Sequence, residues 1–212
     1  MTNSLESISL PPQAGQAPKG LLVILHGWGA NADDVGSLLP FLDLPDYQLL
    51  FPNAPFPHSS SSAGRAWYDL TTENMYQGLT ESRKLLTDWL QSLESVTGVP
   101  LSRTILSGFS QGAAMTLDVG LKLPLAGLVS MSGYLQPGAA TNLETLHATS
   151  LPPVLIMHGQ QDTVVPLQAA LLARETLASL GVVVQYQEFD SGHEISLQML
   201  EVFKKFVINS LC

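Results

Sequence analysis

Thr104-Ile105-Leu106-Ser107-Gly108-Phe109-Ser110-Gln111-Gly112-Ala113-Ala114-Met115-Thr116-Leu117 runs from a short apolar segment, through a serine flanked by glycines, into residues that continue as a helix. The residue types are those a very tight strand-to-helix turn demands. A serine at its apex sits in a strained backbone conformation, and side chains two positions to either side collide with the adjoining strand and helix. Glycine at 108 and 112 removes that collision, and the small Ala113 and Ala114 let the helix approach the sheet. Ser110 could merely cap the helix, but strand, sharp turn and helix in this order are what exposes a reactive serine hydroxyl. This is the only G-x-S-x-G in the chain.

Outward from this stretch, short apolar runs alternate with longer segments of helical periodicity, the pattern of a parallel sheet wrapped by helices. Leu21 to Leu25, Thr104 to Leu106, Leu125 to Val129 and Val154 to Met157 read as strands buried on both faces, because polar residues do not alternate within them. Val182 to Phe189 alternates in its second half, as an edge-side strand does. Leu79, Leu86, Leu90 and Leu93 fall on one helical face. Leu167 to Leu180 forms another helix, opened by Pro166 and stopped by Gly181. Ile195, Met199, Val202, Phe203 and Phe206 mark a closing helix. The class is α/β, a mostly parallel central sheet with helices on both faces, expected as a single domain over residues 1–212. Pro52 to Ala66, with three prolines and four consecutive serines, has the length at which a loop tends to be functional.

The 212 residues are 45% hydrophobic and 13% charged, which supports one large core and argues against disorder. Nine basic against eighteen acidic residues, with no basic cluster, exclude a phosphate-tracking groove and so nucleic acid as a partner. The one cysteine, Cys212, permits neither an internal disulfide nor a thiolate metal cage, and rules out a cysteine nucleophile beside the tight turn. No H-E-x-x-H occurs, and the histidines lack ligand spacing on one element, so no metal or other cofactor is expected. The longest aliphatic run, Leu21 to Leu25, is far below the roughly 18 residues of a membrane span, and the N-terminus has no signal-peptide pattern. A cytoplasmic protein is expected.

A serine hydroxyl needs a base, and an imidazole base needs a carboxylate to orient it. With this turn the chain order runs serine, acid, histidine, which removes His26 and His58. His147 lies in a polar stretch and reads as a solvated loop residue. Choosing His158 would make Glu144 its acid. His193 sits in Ser191-Gly192-His193-Glu194, a turn between the last strand and the closing helix, and is the expected base. Its acid is expected to be Asp162, in the loop leaving a strand at its C-terminal end, where open α/β sheets gather their sites. Helix capping is the plainer role open to both. Glu175 is mid-helix and Asp190 is too close to His193 in sequence. Two backbone amides complete the set: Gln111, after the nucleophile at a helix N-terminus, and Trp28, within His26-Gly27-Trp28-Gly29-Ala30-Asn31, whose indole could simply pack.

Four separated segments, H-G-W-G at 26–29, G-F-S-Q-G-A at 108–113, H-G-Q-Q-D-T-V-V-P at 158–166 and G-H-E-I at 192–195, make the chain resemble the phospholipase/carboxylesterase family of α/β hydrolases. P-N-A-P at 52–55 and A-W-Y-D at 66–69 resemble family segments too. The resemblance implies the α/β-hydrolase fold, Ser110, Asp162 and His193 as a triad, and Trp28 and Gln111 as oxyanion donors. It further implies an apolar acyl groove lined partly by the loop ending near Trp67, with Phe56 and Val164 as further substrate-binding residues. Thioesterase members tend to carry an acid after the H-G-x-G glycine; here Ala30-Asn31 stands instead. The expected enzyme is therefore a carboxylesterase acting, as monomer or homodimer, on small esters with an apolar acyl group. The alternatives are a thioesterase or lysophospholipase for long acyl chains and a catalytically silent binding protein.

Overall fold

A computed structural model describes residues 5–140 and 151–211; Glu144 and His147 lie outside them. Nine strands occur among these residues: β1 (Ser7–Leu10), β2 (Leu21–Leu25), β3 (Gln48–Pro52), β4 (Phe56–Pro57), β5 (Arg65–Ala66), β6 (Thr104–Phe109), β7 (Gly127–Met131), β8 (Val154–Gly159) and β9 (Val184–Phe189). Between them run α1 (Ala32–Gly36), α2 (Leu39–Leu42), α3 (Leu79–Thr97), α4 (Gln111–Gly120), α5 (Leu167–Ser179) and α6 (Leu197–Leu211). Seven strands form one sheet in the order β1-β3-β2-β6-β7-β8-β9, parallel throughout except for the antiparallel β1 at one edge.

The apolar strands feed two cores. Leu21, Val23, Leu25, Leu106, Leu128, Val154 and Ile156 face Leu86, Leu90 and Leu93 of α3, Met115 and Leu117 of α4, and Leu177 of α5. The alternate residues, Leu22, Ile24, Ile105, Val129, Leu155 and Met157, face Val35 of α1, Leu42 of α2, and Met199, Phe203 and Phe206 of α6. Strands sandwiched in this way gain from apolar side chains on both faces, which explains their unbroken runs. β9, at the edge, keeps the alternation of a half-exposed strand.

The expected strand from Leu125 begins later, at Gly127, because Leu125 is still in a turn whose amide bonds the carbonyl of Leu123. The Pro52–Ala66 stretch is a wall with structure of its own: β4 and β5 pair as a small antiparallel hairpin, Phe56 opposite Ala66. Its serines form the turn, where Ser61 Oγ accepts the amide of Gly64.

Candidate active site

The C-terminal ends of β6, β8 and β9 deliver the three side chains. Ser110 follows β6 with φ 55° and ψ −117° and precedes α4. A left-handed φ at a non-glycine residue is held only by its surroundings. The surroundings are tight: a Cβ on Gly112 would stand 2.5 Å from the backbone oxygens of Leu25 and His26, and one on Gly108 would run into the Gly112 carbonyl. The turn exists because those two positions carry no side chain.

The loop after β8 and the loop after β9 lie back to back. The amides of Gln160 and Gln161 donate to the carbonyls of Phe189 and Ser191, 2.8 and 3.0 Å away, and the Gln161 side chain donates to Asp190 at 2.6 Å. Asp190 is thus a surface anchor between the loops. This stacking brings Asp162 Oδ2 within 2.7 Å of His193 Nδ1. Asp162 Oδ1 accepts the amides of Val164 and Val165 at 2.9 and 2.8 Å. Burial pushes the Asp162 carboxyl up, but the hydrogen bonds from His193 and from the two amides outweigh it, so it stays below its ordinary value and ionised at neutral pH. A carboxylate accepts only, so Nδ1 of His193 carries the ring proton. Nε2 is then free to accept from Ser110 Oγ, 3.0 Å away. Phe109 packs its ring 4.8 Å from the imidazole.

The amide of Gln111 opens α4 and has no acceptor within the helix. The other expected donor, Trp28, lies in the loop after β2, where a Cβ on Gly27 would touch Ser110 Cβ at 3.4 Å. That loop is fastened to the hairpin by Gly29 N–H to Arg65 O and Arg65 N–H to Ala30 O, both 2.9 Å. The Trp28 indole is 40% exposed and meets His58 edge-on at 4.5 Å. From there a cavity of about 260 Å³ opens between the loop and the hairpin, walled by Trp28, Phe56, Pro57 and Ala66, with His58, Asp69 and Gln77 also on its lining.

Two expected groove residues stand elsewhere. Trp67 is fully buried, its indole N–H donating 3.0 Å to the carbonyl of His26, so it braces the site from below and offers no surface to a ligand. The Val164 side chain is 65% exposed and lies outside the cavity lining; what it contributes is its amide to Asp162. Phe56 does line the cavity.

The family model described as phospholipase/carboxylesterase matches residues 12–211. The chain belongs to this family. It is 30% identical over 211 residues to acyl-protein thioesterase 1 of Eremothecium gossypii, covering 91% of this chain and 88% of that one. It is 26% identical over 217 residues to a probable carboxylesterase of Oryza sativa, covering 94% and 82%. Among solved structures, esterase PE8 superposes with a TM-score of 0.87 at 34% identity, over 97% of this chain and 99% of that one. The protein is a hydrolase of the α/β-hydrolase fold.

In this family member three buried side chains escaped the sequence reading. His26 Nε2 accepts the amide of Ala54 at 3.0 Å, which leaves the proton on Nδ1 to donate 2.8 Å to the carbonyl of Gly27. The Gly27 carbonyl and Trp28 amide share one trans peptide plane and point oppositely, so His26 fixes the direction of the Trp28 N–H. Burial lowers the His26 pKa, keeping the ring neutral for this task. The Gln111 side chain clamps the 67–68 backbone, accepting from Trp67 N–H at 2.9 Å and donating to Tyr68 O at 2.8 Å. His158, also fully buried, stands behind Asp162. Each partner is distant in sequence or hidden in a loop, and only the polar letters beside the motifs hinted at them.

Proposed function

We propose that the protein is a carboxylesterase that cleaves esters of short to medium apolar acyl groups through an acyl-enzyme. One observation carries the reading: the unbroken line from Asp162 Oδ2 through His193 to Ser110 Oγ, 2.7 and 3.0 Å, on a strained turn. Ser110 Oγ attacks the acyl carbon while its proton passes to His193 Nε2. The oxyanion is received by the amides of Trp28 and Gln111, each donor contributing about 2.7–4 kcal/mol in the transition state. His193 hands the proton to the leaving alcohol, and water, deprotonated by the same ring, then releases the acid. Asp162 holds the ring in its tautomer and stabilises the imidazolium.

The acyl group is assigned to the cavity beside Trp28. At about 260 Å³, and with the polar side chains of His58, Asp69 and Gln77 on its lining, it suits a short to medium acyl group better than a long saturated chain. The Ala30-Asn31 pair after the H-G-W-G loop supplies no acid to the site, and Asn31 is occupied in capping α1, accepting the amides of Asp33 and Asp34. The thioesterase relatives favour a second reading, cleavage of long-chain thioesters, and the two readings share one triad. A cytoplasmic address suits a chain whose one cysteine calls for no oxidising compartment; among the described residues no helix is long and apolar enough to cross a membrane.

The test is hydrolysis of p-nitrophenyl esters from acetyl to palmitoyl by wild type and Ser110→Ala. Turnover should peak at short to medium chains and fall at least about a thousandfold in the variant. Equal rates in both proteins would remove the triad reading, and a peak at palmitoyl would replace it with the second.

A further inference from the structure

His158 is the last residue but one of β8, its ring is fully buried, and no step of the chemistry above uses it. Its Nε2 lies 2.8 Å from the carbonyl oxygen of Val165. A carbonyl only accepts, so the ring proton is on Nε2 and the interaction is an N–H···O bond. Nδ1 is then a bare lone pair, and it is buried without a partner. A buried acceptor left unpaired is unfavourable, and an apolar side chain at the end of this strand would avoid the penalty. The compensation lies on the other side of the ring: the Nε2 atom, its proton given to Val165, lies 3.4 Å from Asp162 Oδ2, near enough for its N–H dipole to act on the oxygen that accepts from His193 Nδ1.

We propose that His158 is a positioning residue for the acid of the triad: its Nε2–H, donated to Val165 O, ties down the far end of the 160–165 turn and keeps the ring edge 3.4 Å from Asp162 Oδ2, so that the carboxylate is held toward His193. This rests on the triad reading above. The geometry is that of a brace. Residues 160–165 leave β8 and turn back, and the imidazole ties both the acid and the far end of the turn to the strand beneath them. The Val164 and Val165 amides hold Oδ1. His158 Nε2 is the second ring nitrogen near Oδ2, after His193 Nδ1. The charged and titratable groups facing the ring are Asp162 on the loop, His193 beyond it, and Glu188 across the ladder on β9. Glu188 is already engaged by the Gln160 side chain and the Tyr186 hydroxyl, so it does not compete for the ring proton.

An N–H beside Oδ2 also draws on the negative charge that His193 sees. Removing it leaves more of that charge for the imidazolium, so the acid limb of the pH profile should move to higher pH while the orientation of His193 loosens. In His158→Leu, kcat on a butyryl ester should fall about tenfold, the low end of what a hydrogen-bond partner one step removed from the reacting groups contributes, with KM near that of wild type. His158→Gln, whose side-chain N–H reaches the place of Nε2, should restore both kcat and the limb. A lower melting temperature in His158→Leu with kcat and acid limb unchanged would overturn the proposal, because a purely structural residue behaves that way.

A second measurement needs no variant: ¹⁵N-histidine spectra of the wild-type chain should show His158 as the neutral tautomer protonated at Nε2. Protonation at Nδ1 alone would overturn the proposal even if His158→Leu failed to fold. Labelling of Ser110 by a fluorophosphonate tests the triad reading separately. A labelled serine with the wrong His158 tautomer refutes only the brace, whereas an unreactive serine with the expected tautomer refutes the triad.

Discussion

Replacing Gln111 by alanine should unseat the segment behind the cavity beside Trp28 while leaving the amide of residue 111 in place. The side chain is fully buried and makes two hydrogen bonds to backbone groups of Trp67 and Tyr68, which are themselves fully buried. Truncation strands one N–H and one C=O away from water, at about 1–3 kcal/mol each. The sum is about 4 kcal/mol, before any contribution from the void. At this chain length each kcal/mol moves the melting temperature by about 2–4 °C, so a loss of roughly 8–16 °C is expected. Thermal and urea melts of Gln111→Ala and Gln111→Met read it. Methionine fills most of the volume without supplying either hydrogen bond, so it separates lost bonding from lost packing. Both variants should melt far below wild type, and both should still be phosphonylated at Ser110 by a fluorophosphonate, since the backbone N–H of residue 111 survives. If Gln111→Met melted within about 2 °C of wild type, the hydrogen bonds would carry no such weight and the reasoning would fail.

His26 titrates near 6.5 in the unfolded chain and lower in the fold because burial disfavours its charge. The stability this involves is therefore fully present above about pH 6.5 and declines as pH falls from there toward the depressed folded value, by at most about 1.4 kcal/mol per pH unit. Urea melts at pH 7.5 and 5.5 should show a larger loss for wild type than for His26→Asn; equal losses would refute the assignment. Asp118 is a buried carboxylate paired with Arg83 at 2.5 Å and Lys122 at 3.2 Å. Both cations reach water, so Asp118→Asn should cost about 1–3 kcal/mol, below the full penalty of breaking a buried pair; a melt unchanged in low and high salt would contradict this. At Gly78, φ is +86° and a Cβ would meet the Phe56 ring, 2.9 Å from its Cζ. Gly78→Ala should push that ring into the cavity and shift the optimum of the ester series to shorter acyl chains, and an unshifted optimum would remove the cavity from the acyl path.

The parts of the fold legible from the sequence were those whose burial is symmetric. β2, β6 and β8 carry apolar residues on both faces and announce themselves as runs. β1 has four residues and two apolar side chains, and β3, Gln48 to Pro52, ends in the proline that reads as the start of a loop. Neither gives a period long enough to see, and their pairing with each other is decided by the ladder. The three side chains proposed as a triad, which the structure brings within hydrogen-bond reach of one another, were legible because each sits in its own punctuated turn: glycines around Ser110, Gly159 and Pro166 around Asp162, Gly192 before His193. Trp67 was misread for the opposite reason. The resemblance put it at the edge of the groove, but the indole is buried in the core with its N–H tied to the His26 carbonyl, 41 positions away, and no local pattern records that.

The contacts around the candidate site form a chain of dependence. Ala54 fixes the His26 ring, His26 orients the Gly27–Trp28 peptide, and its own carbonyl receives Trp67; the Trp67 backbone is held by Gln111, the residue next to the nucleophile. On the other side the β8 loop is bonded to the β9 loop, so acid and base move together. Apart from Asp162 and Asp190, the groups that hold the geometry are uncharged, so salt should alter little of it. Residues bonded in series do not contribute independently. Combining His26→Asn with Gln111→Ala should therefore cost less than the sum of the two separate losses, because both side chains hold Trp67, the His26 ring beside the indole and Gln111 at the backbone amide, and the first change already loosens what the second one frees.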